Sequence, residues 1–111
     1  MAKNVTVDFR LQEGEELIKK GKANYASNLI NKQGGELYLT NQRLIFKAHG
    51  INVGDKMTII NIDDIMAFEK ATNMIVIPNG LRVITQDGQK YKFVVYGRKK
   101  WVNELSKLIN G

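Results

Sequence analysis

The sequence predicts a mainly β domain: seven or eight antiparallel strands curled into a sandwich or barrel, with one C-terminal α-helix. Three observations predict it. In Gly35-Glu-Leu-Tyr-Leu-Thr-Asn-Gln-Arg-Leu-Ile-Phe46, Leu37 and Leu39 share one face of an extended segment, as do Leu44 and Phe46 after a polar break at Thr40, Asn41 and Gln42. Similar short segments recur along most of the chain. From Gly97 the period changes, because Trp101, Leu105, Leu108 and Ile109 stand at helical spacing, with Val102 on the flank.

Taken in order, Val5, Val7, Phe9 and Leu11 alternate with Thr6, Asp8, Arg10 and Gln12, which predicts an N-terminal strand. Glu13-Gly-Glu-Glu16 breaks it. Residues 17–27 form the next strand, with Gly21 marking a bend or bulge. Residues 28–34 are expected as a loop before the hairpin at Gly35, and residues 49–56 as a polar loop after it. Strands follow at 57–62 and 65–71, turned by Asp63-Asp64. An apolar loop, Asn73-Met-Ile-Val-Ile-Pro-Asn-Gly80, holds the single proline.

Residues 81–86 and 89–96 form a second hairpin around Asp87-Gly88. A two-residue loop would set Val83 opposite Lys92 and Arg82 opposite Phe93, mixing core and surface on both faces. A three-residue loop, Gln86-Asp-Gly88 with Gly88 left-handed, sets Val83 opposite Tyr91 and Leu81 opposite Phe93. The second register is expected, since pairing follows the buried face. In the terminal helix, Lys100 and Glu104 are spaced as an ion pair.

The chain of 111 residues is sized for one domain, 1–111, comprising an extra strand in 1–13, a barrel in 14–96 and a capping helix in 97–110. With no cysteine, disulfide, thiol and thiolate-metal chemistry are excluded. The longest apolar run, Met74-Ile-Val-Ile-Pro78, is far shorter than the ~18–20 residues that cross a bilayer. The N-terminus carries no signal-peptide pattern, so a cytoplasmic protein is expected. Seventeen Lys and Arg against eleven Asp and Glu give a net charge of +6, which favours anionic partners without choosing among them.

The segments Gly35 to Phe46, Ile77-Pro-Asn-Gly-Leu81 and Asp87-Gly-Gln-Lys-Tyr-Lys-Phe93 resemble those of GRAM domains, a branch of the pleckstrin-homology-like superfold, and Gly14-Glu15-Glu16 resembles the family's lead-in to its first strand. The resemblance covers residues 14–109. It implies a seven-stranded bent barrel with the C-terminal helix across one end. It also implies a lipid-headgroup, membrane-surface or protein-binding module, with no catalytic set and no cofactor. The alternating segment at Val5 to Leu11 departs from the family pattern; it either joins a sheet edge within the chain or pairs two copies into a homodimer.

Five basic residues and no acid occur between Gly88 and Asn103. In the expected register Arg82 faces Lys92, with Lys90 on the same outward face, and like charges so placed cost stability. Arg98, Lys99 and Lys100 then fill the first helical turn, against the helix dipole. Local rules broken together mark Arg82, Lys90, Lys92, Arg98, Lys99 and Lys100 as candidate anion- or lipid-binding residues. The plain alternative is a solvated basic surface. Lys20 and Lys22 form a lesser candidate on the first barrel strand, with Lys19 on the opposite face unless Gly21 shifts the register.

The apolar loop 73–80 could dip into a bilayer, but a buried turn is preferred. The Trp101 stripe is expected to cover the barrel end. The first hairpin's own charges, Glu36 and Arg43, form no evident site. Enzymatic chemistry has little support: His49 has no His or Cys companion, and Asp63 and Asp64 would point apart in an extended segment. Nucleic acid is disfavoured, because no stacking aromatics interleave with the basic residues. The expectation is therefore a non-catalytic module attaching weakly to an anionic membrane surface or phosphorylated headgroup on the inner face. Protein interaction or self-association through a strand edge is the alternative.

Overall fold

The computed structural model describes residues 9–26, 32–49, 57–71 and 80–110. Its strands are β1 (Leu17–Ala26), β2 (Lys32–Thr40), β3 (Arg43–Ala48), β4 (Met57–Asn61), β5 (Ile65–Ala71), β6 (Gly80–Thr85) and β7 (Lys90–Val95), followed by helix α1 (Arg98–Asn110). All seven strands belong to one antiparallel sheet of order β4-β3-β2-β1-β7-β6-β5. The first strand holds it together: β1 pairs with β2 along its length, while Ala23 to Ala26 also pair with β7. Leu37, Leu39, Leu44, Phe46, Leu81, Val83, Phe93 and Val95 share one core with Trp101 and Leu105 of α1. One face of so wide a sheet can meet in a single core only if the sheet curls. Each of these buried side chains contributes roughly 1.5–3 kcal/mol.

The second hairpin carries the expected register, and the first pairs its apolar residues with one another on one face. Leu37 faces Phe46 and Leu39 faces Leu44. Val83 faces Tyr91, Leu81 faces Phe93, and Gly88 has φ of 87° at the end of a three-residue turn. The amides of Thr85 and Gly88 close the turn onto the Gln89 and Thr85 carbonyls at 3.0 and 2.9 Å. Gly35 cannot be replaced cheaply, since a Cβ there would lie 2.2 Å from the Lys47 carbonyl oxygen.

Several expectations are corrected. Lys32 to Gly34 belong to β2, pairing with Ala26 to Asn24, so the preceding loop is shorter than residues 28–34. Asp63 and Asp64 lie in a 3-10 turn, Ile62–Asp64, which is not extended. The irregularity in β1 falls between Leu17 and Lys19, whereas Gly21 pairs regularly with Leu37. Residues 5–8 of the expected N-terminal strand, and loop residues 73–79, lie outside the described residues. Phe9 to Leu11 carry no strand assignment. Instead, Phe9 packs edge-on against Tyr38 at 4.9 Å and covers the outer face of β2.

The Thr40 to Arg43 turn is a clamp on the segment that precedes β1. Arg43 donates through Nε (2.8 Å) and Nη2 (2.7 Å) to the two carboxylate oxygens of Glu15. The same carboxylate accepts from the Thr40 hydroxyl at 2.6 Å and the Gln12 amide at 2.7 Å. Asn41 donates to the Gly14 carbonyl and accepts from the Glu16 amide, while Gln42 donates to the Glu13 carbonyl. These bonds, led by the Arg43 fork, hold the Glu15 carboxyl down at a pKa of about 2, against the opposing effect of burial. The polar residues that break the alternation are thus consumed in fixing the chain's entry into the barrel.

Candidate anion-binding face

Strand alternation sorts the basic residues by side. On β7, Phe93 and Val95 are buried while Lys90 is exposed; on β6, Leu81 and Val83 are buried on either side of Arg82. Arg82 lies opposite Lys92, and Lys92 lies opposite Ala26 of β1. Lys22 and Lys20 follow Ala26 at even spacing along β1. Arg82, Lys90, Lys92, Lys20 and Lys22 therefore share the outer face of three adjacent strands, β6, β7 and β1.

That face is partly neutralised from its flanks. Glu69 of β5 lies opposite Arg82, and its Oε2 is 2.6 Å from Arg82 Nη1. With side chains 35% and 48% exposed, the pair is worth at most about 1 kcal/mol, yet it offsets the Arg82–Lys92 repulsion. On the other flank Lys22 sits opposite Glu36. Lys20 Nζ lies 5.7 Å from the Tyr38 ring centre. Lys19 points to the other side, over the Trp101 ring at 5.1 Å. Both contacts are cation–π in character.

The helix start adds a second basic group. Gly97, with φ of 69°, turns the chain, and its carbonyl accepts from the Lys100 amide at 3.0 Å. The first turn of α1 holds no acidic residue. Lys99 and Lys100 are exposed. Arg98 reaches back instead, donating through Nη1 to the Gly80 carbonyl at 3.2 Å. Gly80 precedes Arg82 by two residues, so this contact joins the helix start to the sheet face. The expected Lys100–Glu104 pair is replaced by Glu104 with Lys107 at 3.6 Å.

Sequence reasoning passed over Tyr96, which is 66% exposed between β7 and α1. The signal was present: after the buried Val95, the next residue of an alternating strand turns outward. Trp101 was placed correctly, and at 1% exposure it belongs to the core. His49 is exposed, and no group of metal-ligating side chains occurs among the described residues. Among those residues, too, no helix is long and apolar enough to cross a membrane.

Comparison with known proteins agrees with this architecture. The Vps36 N-terminal PH domain superimposes with a TM-score of 0.75 at 16% identity, over 91% of this chain and 83% of that one. The C-terminal domain of an unknown protein from Leishmania infantum gives 0.75 at 17% identity, over 89% and 88%. The DH/PH fragment of PDZRHOGEF, solved in complex with human RhoA, gives 0.68 at 11% identity; there the match covers 86% of this chain and 29% of that one. At such identities these likenesses establish a PH-like fold. A search of curated proteins gives no significant match. The GRAM domain model matches residues 3–99. The chain therefore belongs to the GRAM domain family, a PH-like family of lipid- and protein-binding modules rather than catalysts.

Proposed function

We propose that this domain is a non-catalytic module that attaches reversibly to anionic membrane surfaces or phosphorylated lipid headgroups on the cytoplasmic side. The observation that carries the reading is the corner between β7 and α1. There an exposed Tyr96 is followed by Arg98, Lys99 and Lys100, with no acid in the first helical turn. A tyrosine ring suits the boundary between acyl chains and water, where its body is apolar and its hydroxyl stays hydrated. Lysines beside it add attraction to anionic headgroups, about 1 kcal/mol each near the surface.

Lys90, Lys92, Lys20 and Lys22 extend the same charge along the sheet face. Arg82 contributes less, because Glu69 already pairs with it. Arg98 serves mainly to hold the helix start against β6.

Co-sedimentation with vesicles of phosphatidylcholine, with and without phosphatidylserine, tests this over a salt series. Binding should need the anionic lipid and fall as salt rises. Replacing Lys90, Lys99 and Lys100 together by Ala should weaken it roughly a hundredfold. Binding that ignores lipid charge and salt, or absence of binding, would remove the proposal.

A further inference from the structure

A curled sheet that does not close leaves a seam. Here β4 ends the sheet, pairing with β3 on one side and with no described strand on the other. A cleft of about 210 Å³ runs beside it, touching Ile59, Ile60 and Asn61. Successive side chains of a strand point to opposite faces, so three consecutive residues beside one cleft fit a cleft that lies along the strand's edge and end. Among the described residues no strand pairs with β4 on that side, so its edge there has no described ladder partner.

The opposite wall is the β6–β7 hairpin, with Asp87 in its turn and Tyr91 on β7. One end is pinned where the Gln86 amide donates to the Asp64 carbonyl at 2.8 Å. Ile60 is buried and Tyr91 half-buried, which gives the cleft an apolar floor. Ile59, 46% exposed, adds an apolar side chain to the cleft's lining, and Met57, 38% exposed, lies two residues before it on β4. The volume is below the ~300–1,000 Å³ usual for small-molecule pockets, and suits one or two side chains with their backbone.

Charge selects the occupant. On a chain of net charge +6, this cleft is lined by two acidic residues, Asp64 and Asp87, and by no Lys or Arg. Asp87 is held ionised first by the Thr85 hydroxyl and then by the Gln89 amide, both of which donate to the same oxygen, Oδ1. We propose that the seam beside β4 receives an extended segment of a partner protein with alternating apolar and basic side chains, which adds as an eighth strand. The apolar side chains face Ile60 and Tyr91, and the basic ones face Asp64 and Asp87. This proposal is independent of the basic face, which lies on β6, β7 and β1.

Two labelled probes test it by fluorescence anisotropy: a short peptide alternating lysine and valine, and one alternating glutamate and valine. Hydrogen exchange is followed at residues 57–61 in parallel. The lysine peptide should bind and slow exchange in β4, despite the protein's overall positive charge. Asp64→Asn with Asp87→Asn should weaken it roughly tenfold. This pair keeps the turn's hydrogen-bond acceptors and leaves the Asp64 carbonyl in place. A lysine peptide N-methylated along one edge should lose binding. Equal affinity for the two peptides, or binding without slower exchange in β4, would overturn the proposal. So would slowed exchange that grows with protein concentration alone, which would assign the seam to a second copy.

Discussion

The two hairpins are both antiparallel pairs in one sheet and make opposite uses of charge. In the β2–β3 hairpin Thr40 and Arg43 are buried at the turn, and Arg43 is spent on Glu15, whose side chain has no exposure. In the β6–β7 hairpin the turn is exposed, and Lys90 stands in solvent. Their different surroundings set the difference. The first turn meets the chain segment entering β1, whereas the second lies at the rim of the barrel. A conspicuous sequence motif is thus mostly structural here, and a plainer hairpin carries the exposed charge.

The comparison breaks first at the buried pair. Glu15→Ala leaves Arg43 buried without its carboxylate and should cost about 3–5 kcal/mol in urea unfolding. A loss below about 1 kcal/mol would mean that the clamp contributes little. The same pair sets an acid limit. The folded Glu15 pKa is lowered from 4.5 to about 2, so its stabilisation is complete above pH 4.5 and is lost as pH falls toward 2. Over that window about 3 kcal/mol should disappear in the wild type, and much less in Glu15→Gln.

Gly35→Ala should cost roughly 3 kcal/mol, because the new methyl group would press on the β3 backbone and part the strands. Gly88→Ala in the other hairpin should cost only about 1 kcal/mol. Its φ of 87° is strained for alanine, yet the space around it is open. Comparable losses at the two glycines would erase the distinction between a packed and an exposed hairpin.

The smallest stability effect belongs to Lys90→Ala, Lys99→Ala and Lys100→Ala, each expected within about 0.5 kcal/mol by thermal unfolding. If these three exposed lysines prove structurally important, the second hairpin and helix start are scaffold as well. Their proposed role at a membrane would then lose its support.

Much of this fold was legible because alternation is local. The register of the second hairpin, the shared apolar face of the first, the C-terminal helix and the burial of Trp101 all follow from the side on which each apolar residue falls. The basic residues of the outer face were found by the same parity rule. Tyr96 was legible too, but its tally as a strand end concealed it as a surface aromatic. The clamp was not legible: Glu15 and Arg43 are 28 residues apart, and neither local pattern points to the other. The seam was equally hidden, because it depends on which strand the curled sheet leaves at its end.

By itself, then, the sequence determined the elements, the faces of the strands and the family motif. Each depends on residues a few positions apart and on the two-residue and 3.6-residue periods of the backbone. Tertiary structure decided how the charges are matched. It gave Arg43 to Glu15 and Arg82 to Glu69, and turned Arg98 back onto the Gly80 carbonyl. Electrostatic partnership depends on distance in space, and only the order and curl of the seven strands bring those groups within reach.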